Sequence, residues 1–231
     1  MKKLLLVISA LGILLSGCTT TAPVSKFSAY RGLYEARPVS VLIMPPINRS
    51  TNVEAKEYFH STLNVPIANA GYYVIPPFLS MEILKRESAF DSELFFDVPL
   101  TKFGEVFGAD LALFTVIHKW DKTGLLSQVY VEIEYILKSI ATNEILYTRK
   151  GNITYDTSVS TGASGVFGAL ADIAASAINT AATKYVDVAR ICNAYTFKDL
   201  PAGKYSPVYL TDSTQVAGPK EFTVRLNSQY K

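Results

Sequence analysis

The sequence predicts an α+β domain in which helices cover a mixed β-sheet in two layers. Three observations support this class. Periodic segments follow one another in the order β-α-β-α-α-β-β-β-α, residues 111–117 are apolar on both faces, and two later segments alternate strictly between apolar and polar residues. A strand that is apolar on both faces belongs in the middle of a sheet, whereas alternating strands have one solvated face. The domain should therefore combine parallel and antiparallel pairing.

The first half of the domain is predicted to be a β-α-β unit. Residues 39–44 form a short apolar strand that Pro45 ends, and a helix with one apolar face follows from residue 53. Pro66 lacks a backbone N–H and should kink or restart this helix. Gly71 is placed to end it in a left-handed conformation, before a second strand at 72–75.

The second half is predicted to contain an antiparallel meander and a long helix. Short helices at 80–87 and 101–107 precede the central strand at 111–117. Residues 128–138 and 145–155 alternate as half-buried antiparallel strands. A 3.6-residue apolar period then continues through residues 165–192, which predicts one long helix.

The N-terminus predicts a lipoprotein signal. Lys2 and Lys3 precede an apolar run, Leu4–Leu15, which is shorter than the roughly 20 residues that a permanent membrane span needs. The sequence Leu15-Ser16-Gly17-Cys18 resembles the bacterial lipobox. This resemblance implies that the Cys18 thiol is joined to a diacylglycerol and that residues 1–17 are removed. The alternative is a plain anchor or cleaved signal in which the cysteine is incidental.

These features divide the chain into four regions. We predict a signal peptide at 1–17, a lipidated flexible tether at 18–36, the globular α+β domain at 37–200 and a C-terminal extension at 201–231. Bacterial sorting rules associate Thr19 after the cysteine, in place of aspartate, with the outer membrane, with the protein facing the periplasm. Removing the signal leaves 20 basic and 20 acidic residues, so no global attraction to nucleic acid is expected.

Residues that could carry chemistry are few, and the sequence predicts no catalytic, cofactor or metal site. Gly162–Gly168 is rich in glycine but lacks the order of a phosphate loop or a nucleophile elbow. His60 and His118 have no second ligand at metal spacing. Glu132 and Glu134 share the predicted solvent face of one strand, and Cys192 continues a buried stripe. A hydrolase that uses Ser164, His60 and His118 is the alternative that this reasoning leaves open.

Residues 39–77 resemble an uncharacterised family of bacterial outer-membrane lipoproteins. The shared pattern is a strand ending in Pro-Pro, an Asn-x-Ser loop, a helix closing on Pro-Ile-Ala and the sequence Gly-Tyr-Tyr-Val. The resemblance implies a fold like the N-terminal domain of TolB and the periplasmic domain of the curli secretion lipoprotein CsgG. It also implies an accessory role beside a CsgG-like lipoprotein in envelope transport or assembly. It assigns no catalytic residues.

The leading functional prediction is therefore a non-enzymatic, membrane-anchored lipoprotein that binds a protein partner of the envelope. One alternative is a carrier of a small apolar, lipid-like ligand in a cleft between the long helix and the sheet. A homodimer formed through the helix at 165–192 is a further possibility.

Overall fold

The computed structural model describes residues 23–123, 127–158, 160, 162, 164–182 and 184–230. Its helices are α1 (Lys26–Ala29), α2 (Arg31–Ala36), α3 (Ala55–Thr62), α4 (Asn64–Asn69), α5 (Pro77–Arg86), α6 (Thr101–Phe107), α7 (Gly165–Ala182) and α8 (Tyr185–Phe197). Short 3₁₀ turns lie at Ser92–Phe95 and Thr211–Thr214. The strands are β1 (Ser40–Ile43), β2 (Ile47–Asn48), β3 (Tyr73–Val74), β4 (Leu111–Thr123), β5 (Gln128–Ser139), β6 (Ile145–Asp156) and β7 (Glu221–Leu226).

The seven strands of the described chain form one mixed sheet in the order β3-β1-β4-β5-β6-β7, with β2 also pairing with β4. β1 pairs in parallel with β3 and β4, whereas β4, β5 and β6 form the antiparallel meander. This arrangement confirms the predicted α+β class and the central position of β4.

Helices pack against both faces of the sheet, and they leave part of one face uncovered. Val41 and Ile43 point into a large core beneath α1–α4 and α8, while Leu42 and Met44 point into a second core with α5 and α6. The expectation that all helices lie on one face is therefore too simple. Successive side chains of a strand point to opposite faces of the sheet. All four residues of β1 are buried, so this strand contributes to both cores.

The helix predicted from residue 53 is divided as Pro66 requires. It ends at Thr62, and α4 begins again at Asn64. Gly71 follows with a φ of +93°, the left-handed conformation expected of it.

The predicted flexible tether at 18–36 is wrong for its second half. Residues 26–36 form α1 and α2, and Tyr30, Leu33 and Tyr34 are buried in the larger core. These three residues are spaced so that they lie on one face of a helix. Burying their side chains offsets the conformational entropy that the segment loses when it folds. The fold therefore begins at Ser25, whose side chain caps α1.

The C-terminal segment is also part of the fold. β7 pairs in parallel with β6, from Lys150 opposite Glu221 to Tyr155 opposite Leu226. Phe222 and Leu226 enter the larger core. The predicted domain end at residue 200 therefore falls too early.

Candidate interaction surfaces

The part of the second sheet face that α5 and α6 leave uncovered is polar. We call it the open polar face; it consists of His118, Lys119 and Asp121 on β4, Tyr130, Glu132 and Glu134 on β5, Lys150, Asn152 and Thr154 on β6, and Thr223 and Arg225 on β7. All of these side chains are exposed or half-buried. Strand register places them together, since Glu132 lies opposite Asn152 and Glu134 lies opposite Lys150.

A β-bulge brings His118 and Glu134 into contact. The pairing of β4 with β5 shifts between Ile117 and Lys119, so His118 has no partner in the register. Its Nε2 lies 3.0 Å from Glu134 Oε2, with both side chains about one quarter exposed. A bulge redirects a side chain that the regular ladder would place elsewhere. Both residues were singled out from the sequence, but the contact between their side chains was not predicted.

Further pairs of side chains lie on this surface. Lys150 Nζ donates to Glu132 Oε1 over 2.7 Å, and the Tyr130 hydroxyl donates to Asn152 Oδ1 over 3.1 Å. The hydrogen bond from Lys150 lowers the pKa of Glu132, and the same bond raises the pKa of Lys150. Glu132 and Glu134 therefore lie on a solvated face, as predicted, with charges of both signs held in fixed positions.

His60 belongs to a different layer of the molecule. It lies on α3, which covers the opposite face of the sheet, and burial lowers its pKa. Ser164 is exposed just before α7. His118 instead pairs with Glu134 on the open polar face, so the two histidines have different surroundings.

Cys192 is a core residue, as the sequence indicates. It is fully buried on α8 beside Val188 and Ala189, and this burial raises the pKa of its thiol. Thiols that react are partly exposed and have a depressed pKa. Cys192 has the opposite environment and serves in packing.

Within the described residues, no group of three or more His, Cys, Asp or Glu side chains is arranged to hold a metal ion. No helix among these residues has the length and apolar character needed to cross a bilayer. Cys18 and the lipobox residues Leu15, Ser16 and Gly17 lie outside the described residues, as does the signal peptide.

A groove of about 620 Å³ runs along the outer side of α8. We call it the α8 groove. Its apolar walls are formed by Val65 and Pro66 of α4, Ile191, Ala194 and Phe197 of α8, and Leu200 and Val208 beyond it. Lys26, Arg190, Lys198 and Asp212 provide its charged groups. Where α8 packs toward the sheet, at the predicted position of the ligand cleft, Val188, Ala189 and Cys192 are fully buried.

The long helix predicted over 165–192 is two helices. α7 ends at Ala182, and Lys184 has the extended backbone that precedes α8. α8 is buried against the larger core, whereas Leu170, Ile173 and Ile178 of α7 are exposed. The apolar period continues through the break, which is why the pattern alone did not reveal it.

Together, the mixed sheet, the inward-packed α8 and the outward apolar side chains of α7 define a small α+β domain. Residues 27–203 match the family model described as "Putative lipoprotein GNA1162-like". The chain belongs to this GNA1162-like lipoprotein family. The resemblance found at residues 39–77 to a lipoprotein family is thereby confirmed.

A curated lipoprotein is also similar to this chain in sequence. The chain is 28% identical over 121 residues to "Putative lipoprotein NMB1124/NMB1162" of Neisseria meningitidis serogroup B (strain ATCC BAA-335 / MC58). That alignment covers 52% of this chain and 54% of the relative, so it spans about half the length of the curated protein.

Two solved structures are similar to parts of this chain. The crystal structure of lipoprotein GNA1162 from Neisseria meningitidis has a TM-score of 0.47 and 21% identity, covering 64% of this chain and 100% of that chain. The LpoB C-terminal domain from Salmonella enterica has a TM-score of 0.36 and 16% identity, covering 55% of this chain and 96% of that chain.

Proposed function

We propose that this protein is a non-enzymatic lipoprotein, anchored through Cys18 in the outer membrane, that binds a protein partner of the envelope through its open polar face. Membership of a lipoprotein family supports the anchor, and the lipobox at Leu15–Cys18 supplies the residue that would carry it. The predicted CsgG-like partner, the TolB-like fold comparison and the outer-membrane location rest on the sequence resemblance and belong to this proposal.

The open polar face is the observation that supports the proposed binding of a partner. Helices pack against other parts of the sheet, yet here the His118–Glu134 and Lys150–Glu132 pairs present positioned polar and charged groups on paired strands. Fixed charges on rigid elements give a partner a pattern to match, and such electrostatic complementarity supplies specificity more than raw affinity.

The test is photo-crosslinking in cells that produce the native lipoprotein. A photoreactive residue at Thr154 lies on the open polar face, and one at the exposed Lys204 serves as the matched control. We expect one discrete crosslinked product from position 154 that the control does not give. Crosslinks only to a second copy of the chain, or identical products at both positions, would contradict the proposal.

A charge exchange sharpens this test. The double variant Glu132→Lys with Lys150→Glu keeps the internal ion pair and reverses the charge pattern that a partner would meet. We expect it to leave folding unchanged and to abolish the product at Thr154. Retention of the product would show that the partner does not recognise these charges.

The carrier of a small apolar ligand is a second candidate, which the α8 groove favours. Its volume of about 620 Å³ lies within the usual range of ligand sites, about 300–1,000 Å³. Native mass spectrometry of the mature chain should then show a copurified lipid that Ala194→Trp, which fills the groove, removes. A ligand-free spectrum for the unaltered protein would argue against a carrier.

A further inference from the structure

Three large apolar side chains of helix α7 are exposed, which is unusual for a helix of an isolated soluble domain. Leu170 is 57% exposed, Ile173 59% and Ile178 70%. Ala174 lies among them on the helix surface and is also exposed. At 100° per residue these four positions fall on one face of the helix.

Two polar side chains of the same helix, those of Asp172 and Ser176, are turned away from that face. Ser176 is 5% exposed and Asp172 is half-buried. Both lie on the side of α7 opposite Leu170. A surface helix normally shows the reverse arrangement, so the apolar face of α7 is suited to an apolar neighbour.

The chemistry of the exposed face favours lipid. Asp172 is the only ionisable residue within Gly165–Ala182, and it lies on the other side. The face can therefore enter the boundary between headgroups and acyl chains without desolvating a charge. The exposed Lys184, directly beyond the helix, can remain among the headgroup phosphates.

The short tether places a bilayer within reach. Because the fold begins at Ser25, only seven residue steps separate it from Cys18. Those steps extend at most about 25 Å, less than the hydrocarbon thickness of a bilayer. A lipid at Cys18 would therefore hold the domain against the membrane, where an exposed apolar helix meets lipid at high local concentration.

We propose that α7 is a second membrane attachment, which lies on the bilayer with Leu170, Ile173 and Ile178 in the interface. The occupant of this face is a phospholipid bilayer, and the inference rests on the proposed anchor at Cys18. The two attachments together fix the orientation of the domain, which a single flexible lipid anchor leaves free.

The experiment uses the full lipidated chain in vesicles of phosphatidylethanolamine and phosphatidylglycerol with brominated acyl chains. Ile173→Trp places a fluorophore on the apolar face, and Leu94→Trp places one at a comparably exposed position of the 3₁₀ turn Ser92–Phe95. The native Trp120 is buried and gives the same background in both variants. We expect quenching at position 173 that is several-fold stronger than at position 94.

Equal quenching at the two positions would overturn the proposal, as would an unquenched fluorophore at position 173 in a chain that crosslinks into a dimer. Sedimentation of the same vesicles reports the Cys18 anchor separately. Protein that sediments with vesicles without quenching at position 173 retains the anchor and excludes the α7 contact. Quenching at position 173 in a Cys18→Ser chain supports the α7 contact even if the anchor is absent.

Discussion

The Tyr30 hydroxyl donates a hydrogen bond of 2.6 Å to Asp199 Oδ2, joining residues 169 positions apart. Tyr30 lies between α1 and α2, and Asp199 follows α8. Asp199 also accepts a hydrogen bond from the Gly218 backbone N–H over 2.8 Å. The bond therefore connects the N-terminal helices to the segment that leads into β7. This connection helps to hold the N-terminal helices in the fold, which leaves a shorter segment for the proposed tether.

Replacing Tyr30 by Phe should lower the free energy of unfolding by about 1–3 kcal/mol, because the buried Asp199 carboxylate loses a donor. Denaturant unfolding of the mature chain measures this change. Tyr205→Phe is the control, since Tyr205 is 66% exposed and should change stability by less than about 0.5 kcal/mol. A Tyr30→Phe variant as stable as the control would mean that the N-terminal helices are not integral to the fold.

Gly71→Ala should be among the most destabilising single-methyl additions. Gly71 has a φ of +93°, and a Cβ there would lie 2.4 Å from the Ser206 backbone nitrogen. The Gly203 carbonyl oxygen would lie 2.8 Å from the same Cβ, and the Gly203 N–H donates to the Ala70 carbonyl over 2.8 Å. We expect a loss above about 3 kcal/mol, because steric overlap adds to backbone strain of roughly 1–2 kcal/mol.

Gly108→Ala is the matched control for that substitution. Gly108 also has a positive φ, +62°, but a Cβ there would meet no atom within 4 Å. It should cost only the backbone strain, about 1–2 kcal/mol. Equal losses at the two positions would show that the contact between Gly71 and Ser206 does not constrain the C-terminal segment.

The protein should lose stability steeply at alkaline pH. Burial raises the pKa of Tyr30, Tyr72, Tyr135 and Tyr147 above their ordinary value near 10. Above pH 10 the unfolded chain releases protons that the folded protein keeps. The stabilisation is therefore complete below about pH 10 and is lost as the pH rises.

Guanidinium unfolding between pH 8 and pH 11.5 tests this pH dependence. Tyr72→Phe removes one buried phenol and should reduce the slope by up to about 1.4 kcal/mol per pH unit. A free energy of unfolding that stays constant across the range would contradict the burial of these tyrosines.

Asn193 should be essential to the larger core. Its side chain accepts from the Tyr135 hydroxyl and donates to the Phe59 carbonyl over 3.2 Å and to Thr62 Oγ1 over 2.9 Å. Asn193→Ala leaves these buried partners unsatisfied and should cost about 2–4 kcal/mol by thermal or denaturant unfolding. Asn152→Ala, on the open polar face, should cost much less, since solvent replaces its bond to Tyr130. The reverse order of losses would refute the buried network.

The strands of the meander could be predicted because their two faces have different neighbours. Val129, Val131 and Ile133 face the larger core, while Glu132 and Glu134 face solvent, so alternation appears directly in the sequence. The β-α-β unit was predictable for a related reason, because Pro66 and Gly71 impose local backbone constraints that tertiary contacts do not override.

The structure of the two chain ends and the contact between His118 and Glu134 could not be predicted from the sequence, because both depend on long-range contacts. Tyr30, Leu33 and Tyr34 have helical spacing, and Phe222, Val224 and Leu226 alternate, but each segment is short and surrounded by polar residues. Only packing against the core reveals their role. The pairing of His118 with Glu134 depends on a bulge, which shifts the register by one residue without a clear sequence signal.

The proposed membrane attachment requires a diacylglycerol joined to the Cys18 thiol and the removal of residues 1–17. Intact mass spectrometry of the protein purified from membranes of its native host measures this directly. We predict a mature chain that begins at Cys18 and carries the mass of a glyceride and an additional acyl group. A chain whose Cys18 is unmodified, or one that still contains Leu15–Gly17, would contradict the account.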